Sequence, residues 1–230
     1  MTDYVPVMTI DGPSGSGKGT ICQLIAIRLG FRYLDSGALY RLLVLAARRH
    51  TVDLNNVESL AVLAAHMDIS FNMNSELESQ MMLEGEDVSA LIRGEDIGAD
   101  ASTIAAHLEV RAALLSRQRA FSKSPGLVAD GRDMGTIVFP DANAKIFLTA
   151  NPEIRAKRRH KQLMDKGKGV SLACLIEQVK KRDERDMTRK SSPMVPAHDA
   201  VIIDSSHMSI NEVLELGLEV AKKNGIHPSK

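Results

Sequence analysis

The sequence predicts an α/β fold, a parallel sheet flanked by helices with a smaller segment inserted into it. Three observations carry that expectation. An aliphatic run from Val5 to Ile10 stops at Asp11 and gives way to a glycine-rich turn and an apolar helical pattern from Ile21 to Leu29. Further short aliphatic runs, Phe31 to Leu34, Leu127 to Asp130, Lys145 to Leu148 and Val201 to Asp204, end in polar residues and are each followed by helical periodicity. From Thr51 to about Ser124 this rhythm stops.

The first turn is the most informative element. It reads Gly12-Pro13-Ser14-Gly15-Ser16-Gly17-Lys18-Gly19-Thr20. A strand, a glycine-rich turn and a helix N-terminus direct several backbone N–H groups toward one point, where they can bind a polyphosphate that the helix dipole also attracts. The glycines permit close backbone approach, and Lys18 adds charge. The alternative is an ordinary βα turn with a surface lysine. One departure from the usual phosphate-loop spacing stands out: the residue after Lys18, commonly a Mg²⁺-binding hydroxyl, is Gly19, with Thr20 one place later. That predicts fewer direct protein ligands for the metal, a situation Mg²⁺ tolerates because substrate phosphates and water often hold it.

The second strand ends at Asp35-Ser36-Gly37, and Ala38 to Arg49 is helical in pattern. In the inserted stretch a helical segment is followed by alternation through Met67, Ile69 and Phe71. This predicts a small hairpin with Met81 to Leu83 as partner, residues 72–78 as connection and Gly85 closing the second strand. Ile97 to Phe121 reads as one broken helix or two short ones. Lys166-Gly167-Lys168-Gly169 reads as a hinge before a helical segment able to move as a lid. Ser209 and Glu212 have capping-box spacing for the last helix, which ends before Gly225. The expected organisation is therefore a core of residues 1–50 and 125–230, with a lid at about 155–190, and an inserted subdomain of residues 51–124.

Composition narrows the function. The chain has 230 residues, 44% of them apolar, enough for a proper interior. Basic and acidic residues both number 29, so no global field draws it to nucleic acid or an anionic membrane, and 3% aromatics without Trp leave little for base-stacking surfaces. Cys22 and Cys174 stand apart from any metal-binding spacing and read as small core residues in a reducing compartment. No charged-then-apolar leader precedes the first strand, and no apolar stretch approaches membrane length, so a cytoplasmic location is expected.

Ligands of such sheets gather at the carboxyl ends of the strands, here Asp11, Asp35-Ser36, Asp130-Gly131-Arg132-Asp133 and Asp204-Ser205. Ser36 is followed one helical turn later by Arg41, and the segment after the hinge carries Arg182, Arg185, Asp186 and Arg189 at spacings of three and four. Two anions brought face to face need such groups. Phosphoryl transfer between phosphates requires mutually repelling ligands to be held in line, and arginine grips phosphate oxygens in a bidentate manner while staying charged. Each feature also has a plainer reading. Arg182 and Asp186 could be a solvated i,i+4 pair worth about 0.2–0.5 kcal/mol. Arg132 and Asp133 could lie in a polar turn, and Asp35-Ser36 could merely cap a helix.

Four stretches together resemble the bacterial cytidylate kinases over nearly the whole chain. They are Ile10 to Thr20, Leu34-Asp35-Ser36-Gly37-Ala38-Leu39-Tyr40-Arg41, Ala129-Asp130-Gly131-Arg132-Asp133-Met134-Gly135-Thr136, and Arg182-Asp183-Glu184-Arg185-Asp186, the third being the most specific. The resemblance implies a phosphate-loop kinase core with an inserted nucleoside-monophosphate-binding subdomain and a short lid. It implies that ATP occupies Gly12 to Thr20 and that CMP or dCMP accepts the phosphoryl group with Mg²⁺ present. It also implies that Ser36, Arg41, Arg132 and Arg189 grip the acceptor phosphate, that Ser102, Arg111 and Asp133 read cytosine, and that Arg182 and Asp186 hold the ribose. Lys18, Arg132, Arg182 and Arg189 would be the catalytic cations, and no side chain is expected to ligate the metal directly. A mixed carboxylate, hydroxyl and guanidinium set suits the donor and acceptor edge of cytosine. Kinases of adenylate, uridylate or shikimate share the loop and lid and remain the nearest alternatives. A nucleotide switch is disfavoured by the absence of an Asn-Lys-x-Asp element and by the second, arginine-rich site. A monomer without nucleic-acid or membrane partners is expected.

Overall fold

A computed structural model describes residues 5–73, 79–165, 167 and 169–229. Part of the connection expected at 72–78, and Lys166 and Lys168 of the expected hinge, lie outside the described residues. The chain divides into two compact units, one formed by Met1–Leu34 with Arg119–Lys230 and the other by Asp35–Gln118.

The first unit is built on a five-stranded sheet. Its strands are β1 (Val7–Asp11), β2 (Arg32–Asp35), β6 (Leu127–Gly131), β7 (Ala144–Thr149) and β8 (Val201–Asp204), in the order β2-β6-β1-β7-β8. β1 pairs in parallel with β6 on one side and β7 on the other, and β7 with β8. All five residues of β1 are buried, and so are those of β6, the signature of strands covered on both faces. Met8, Ile10, Val128, Ile146, Leu148 and Ile203 pack with Ile21, Cys22 and Ile25 of α1 (Lys18–Leu29) and Val213, Leu214 and Val220 of α8 (Ile210–Lys223) into one core. α1 stops at Gly30, whose φ of 68° lets its N–H close the last turn.

Register positions the functional rim. Asp11 lies beside Gly131 on one side and Phe147 on the other, so the ends of β1 and β6 deliver Asp11 and Asp130 to neighbouring places. Connections leave β1 toward β2 and β7 toward β8, in opposite directions across the sheet, which opens a crevice at these strand ends. One expectation fails here: no α-helix follows β6. Five residues of π-helix, Met134–Val138, turn the chain back, because Asp11 accepts hydrogen bonds from the N–H groups of Met134 and Gly135, both at 2.8 Å, and pins the turn against β1. A smaller apolar cluster of Ala156, Leu163 and Leu175 joins α6 (Pro152–Asp165) to α7 (Leu172–Thr188). Cys174 is exposed on α7, contrary to the core position expected, because the buried face of that helix is taken by Leu175 and its neighbours; Cys22 is fully buried.

In the second unit, α2 (Ser36–Arg49) is capped by Asp35, whose carboxylate accepts from the Ala38 N–H at 3.1 Å. Ala38, Leu42 and Ala46 on one face of α2 pack on Met81, Leu83, Val88 and Ile92. The three-stranded antiparallel sheet consists of β3 (Ile69–Met73), β4 (Ser79–Leu83) and β5 (Glu86–Asp87). Its register sets Ile69 opposite Leu83 and Phe71 opposite Met81, the pairing their alternation calls for; β5 is a two-residue addition after Gly85. α3 (Val57–His66), α4 (Glu95–Ile104) and α5 (Leu108–Arg119) complete the unit, so the stretch from Ile97 forms two helices.

At the start of α8, Ser209 and Glu212 form a reciprocal capping box: the Ser209 Oγ accepts from the Glu212 N–H at 3.3 Å while the Glu212 carboxylate accepts from the Ser209 N–H at 2.8 Å. Ser209→Ala is expected to lower stability by about 1 kcal/mol in urea unfolding. A loss below the error of the measurement would show that water replaces the cap.

Candidate active site

The glycine-rich loop is shaped by its backbone. Gly12, Gly15 and Gly17 have φ of 141°, 79° and 96°, all in the region that side chains resist. At Gly12 a Cβ would also run into the backbone oxygen of Leu148 on β7, so only glycine lets the chain leave β1 at this angle. Gly17 occupies the N-cap of α1 and supplies no side-chain cap, and no acidic residue sits in the first turn. The N-terminal N–H groups of α1 therefore have no internal side chain competing for them.

Lys18 is 5% exposed, and its ammonium donates to the Pro13 carbonyl at 2.8 Å, bending back over the loop. Asp130 stands 3.9 Å from the same ammonium. Burial, and next the Arg132 charge, pull the Lys18 pKa from 10.5 to about 8, against the attraction of Asp130 and Asp11. Asp11 moves the other way. Burial pushes its carboxyl from 3.8 to about 7, although the two N–H groups of the π-helical turn favour the carboxylate.

The arginines and carboxylates of the rim neutralise one another. Arg132 Nε donates to Asp186 on α7 at 3.0 Å, and its Nη1 donates to the Gly131 carbonyl at 3.1 Å. Burial opposes the charge of Arg132, but Asp186, Asp130 and Asp11 outweigh it and raise its pKa. Asp186 is buried, which works against its carboxylate, yet Arg132, Arg182 and Arg189 hold its pKa below the usual range. Arg189, the C-cap of α7, has a nearly buried side chain 3.8 Å from Asp133 and donates from Nε to the Ser192 carbonyl at 2.6 Å. Lys18, Arg132, Asp133, Arg182, Asp186 and Arg189 all belong to the first unit. Arg185 of the same stripe is exposed.

Ser36, Arg41, Ser102 and Arg111 belong to the second unit. Ser36 is buried and its Oγ accepts from Gln118 Nε2 at 2.9 Å, which leaves the hydroxyl proton to be donated elsewhere. Arg111 lies 5.8 Å from the centre of the Tyr40 ring and donates to the Ala105 carbonyl at 3.1 Å; Ser102 is buried on α4. Arg41 is half-buried on α2.

Several residues that sequence reasoning passed over support these groups. Gln118 and two arginines of α6, Arg155 and Arg158, are the main ones, beside the strand-end carboxylates Asp11 and Asp130. Arg158 Nη2 donates to the Ser205 carbonyl at 2.6 Å, and Ser205 Oγ donates to the Ser16 carbonyl at 2.9 Å, so α6 and the end of β8 hold the back of the loop. The signal for Asp11 and Asp130 was present in their positions at strand ends; for Gln118, Arg155 and Arg158 only tertiary packing reveals the role. Among the described residues, no group of three or more His, Cys, Asp or Glu is placed to hold a metal ion, and no helix is long and apolar enough to cross a membrane.

A parallel sheet, a glycine-rich loop leading into α1, a desolvated lysine on that loop and an arginine cluster at the same rim define a phosphate-loop phosphotransferase. The cytidylate kinase family model matches residues 8–223. A cytidylate kinase of Shewanella pealeana is 55% identical over 219 residues, covering 95% of each chain, and one of Stutzerimonas stutzeri is 57% identical over 226 residues, covering 97% of this chain and 99% of the other. A solved gluconokinase structure from Sinorhizobium meliloti aligns over 96% of this chain and 93% of its own, at 14% identity and a TM-score of 0.47. The chain belongs to the cytidylate kinase family and is an enzyme of the nucleoside monophosphate kinase class.

The opposed pKa shifts give a testable pH signature. Between 3.8 and about 7 folded Asp11 keeps a proton that the unfolded chain has released, so its contribution to stability falls as pH rises through that window. Between about 8 and 10.5 folded Lys18 has lost a proton that the unfolded chain retains, so its contribution makes stability rise with pH. Asp11→Asn is expected to remove the acid-side decline in urea unfolding of the nucleotide-free chain. Parallel pH profiles for variant and wild type would contradict the desolvation assigned to Asp11.

Proposed function

We propose that the chain transfers the γ-phosphoryl group of ATP to CMP or dCMP, giving ADP and CDP or dCDP, with Lys18, Arg132, Arg182 and Arg189 compensating charge as the group moves. The family supports the reaction, and the charge cluster around Lys18 and Arg132 carries the assignment of residues. ATP phosphates would lie on the backbone of Gly12 to Thr20 at the uncapped start of α1, with the Lys18 ammonium turning from the Pro13 carbonyl to them. An arriving polyanion favours the protonated lysine, which reverses the effect of burial.

Arg132 and Arg189, with Arg41 and the free proton of Ser36, would grip the acceptor phosphate. Ser102, Arg111 and Asp133 would read the cytosine edge. Arg182 and Asp186 would hold the ribose, and Asp186 also accepts from Arg132 Nε at 3.0 Å, which orients that guanidinium. The unit of residues 35–118 would then serve as the acceptor-binding subdomain and α7 as part of a lid that excludes water during transfer. No covalent intermediate is needed, because a loose transition state asks mainly for alignment and charge compensation.

Mg²⁺ fits the donor chemistry. The Asp130 carboxylate borders the start of α1, since a Cβ at position 19 would meet one of its oxygens at an ordinary contact distance of 3.6 Å. Asp130 would hold the ion through water, in keeping with the reluctance of Mg²⁺ to shed its shell, and the ion would supply neutralisation of the donor phosphates. We further propose a monomeric, cytoplasmic enzyme; the balanced charge and scarce aromatics support the absence of a nucleic-acid or membrane partner.

ADP release measured with each monophosphate in turn should favour CMP and dCMP, with UMP poor and AMP and shikimate close to inactive. Release that ignores the monophosphate would return the chain to a hydrolase or switch. Lys18→Ala and Arg132→Ala should each lower turnover by about 100-fold or more while the chain stays folded by circular dichroism. Unchanged turnover in either contradicts its role.

A further inference from the structure

Arg155 has no role in the transfer proposed above, yet at 2% exposure it is the largest of the fully buried side chains among the described residues. It projects from the first turn of α6 and commits its guanidinium in three directions. Nε donates to the Ala150 carbonyl at 2.8 Å, Nη1 to the Ser14 carbonyl of the phosphate loop at 2.9 Å, and both Nη atoms to the Asp183 carboxylate, Nη1 at 3.1 Å. Its stem lies close to the loop as well, because a Cβ added to Gly15 would stand only 3.2 Å from Arg155 Cβ. Two consecutive loop residues thus lie beside one side chain.

Asp183 ties the other end of that side chain to α7. It adjoins Arg182 and precedes by three residues Asp186, whose carboxylate holds Arg132. Asp183 and Asp186 are both buried and share a face of the helix. The rotation of α7 about its axis is therefore fixed by a fork-to-fork pair whose other contact is the phosphate loop.

A buried ion pair is a weak source of stability, because desolvation of both charges offsets much of their attraction and an apolar pair of similar volume often serves as well. What the guanidinium fork adds is direction: a planar donor set that an apolar contact, or the point charge of a lysine, does not reproduce. We propose that Arg155 and Asp183 are positioning residues for phosphoryl transfer, fixing α7 against the phosphate loop and so setting where Arg182, Asp186 and, through Asp186, Arg132 stand relative to Lys18. The inference rests on the reading of those residues as substrate-gripping groups.

Three variants of the full chain test it, each followed by CMP-dependent ADP release and by thermal unfolding: Asp183→Asn, Arg155→Lys, and the apolar pair Arg155→Met with Asp183→Leu. The single variants should lose at least about tenfold in kcat with KM for ATP and CMP moving less than about threefold, the split expected when alignment rather than ground-state binding is damaged. The apolar pair should unfold within about 5 °C of wild type and remain at least about tenfold down in kcat. Wild-type kcat in the apolar pair, or single variants changed in Tm alone, overturns the proposal and leaves the pair a packing element. If a single variant does not fold, the apolar pair decides by the same criterion. Failure of the underlying functional reading is separate and visible, because the wild-type chain itself would then show no CMP-dependent release.

Discussion

The structure depends on keeping a lysine ammonium charged in a place almost without water. Lys18 must be withdrawn from solvent for its charge to act at full strength on a phosphate, and that withdrawal disfavours the charge. The fold meets the conflict with short-range polar contacts: the Pro13 carbonyl accepts from the ammonium, and the Asp130 carboxylate stands nearby. Both come from the geometry of β1 and β6, whose parallel register sets the strand ends side by side. The three left-handed glycines of the loop are consequences of the same need, because only a tight backbone path returns Pro13 to within reach of Lys18.

The same solution is repeated across the rim. Arg132 rests on Asp186 and Arg189 approaches Asp133, so both cations proposed to grip the acceptor phosphate have a carboxylate close by. Pairing of this kind preorganises the guanidinium groups and limits their mutual repulsion. On the proposed reading, phosphates would exchange one anionic partner for another, and the arginines would need little reorganisation at the moment of transfer, which is where electrostatic catalysis gains most. Arg155 and Arg158 of α6 extend the arrangement outward. Arg155 Nη1 donates to the Ser14 carbonyl at 2.9 Å and Arg158 Nη1 to the Ser16 carbonyl at 3.4 Å, so carbonyls of the loop are satisfied by guanidinium groups of α6.

What the sequence disclosed follows from the range of the interactions involved. β1, the loop and α1 were legible because each glycine answers a local backbone demand, and the hairpin because alternation of Ile69 and Phe71 with Met81 and Leu83 dictates the pairing. The capping box of α8 is likewise a three-residue signal. The π-helical turn after β6 was not legible, since it is imposed by Asp11 from 123 residues away. Gln118 beneath Ser36 and Arg155 behind the loop escaped for the same reason: a buried polar residue looks like any surface one until its partners, 82 and 141 residues distant, are known. Cys174 was misplaced because helical periodicity alone does not say which face of α7 is covered.

The central claim, that a desolvated Lys18 waits for a polyphosphate, is tested most directly by titrating the Lys18 ammonium itself. NMR of chain labelled at lysine Cε, with the signal assigned through Lys18→Arg, should give a pKa near 8 for the free chain and a clear upward movement when ATP is added. A pKa at the ordinary 10.5 that ATP leaves unmoved would contradict the account.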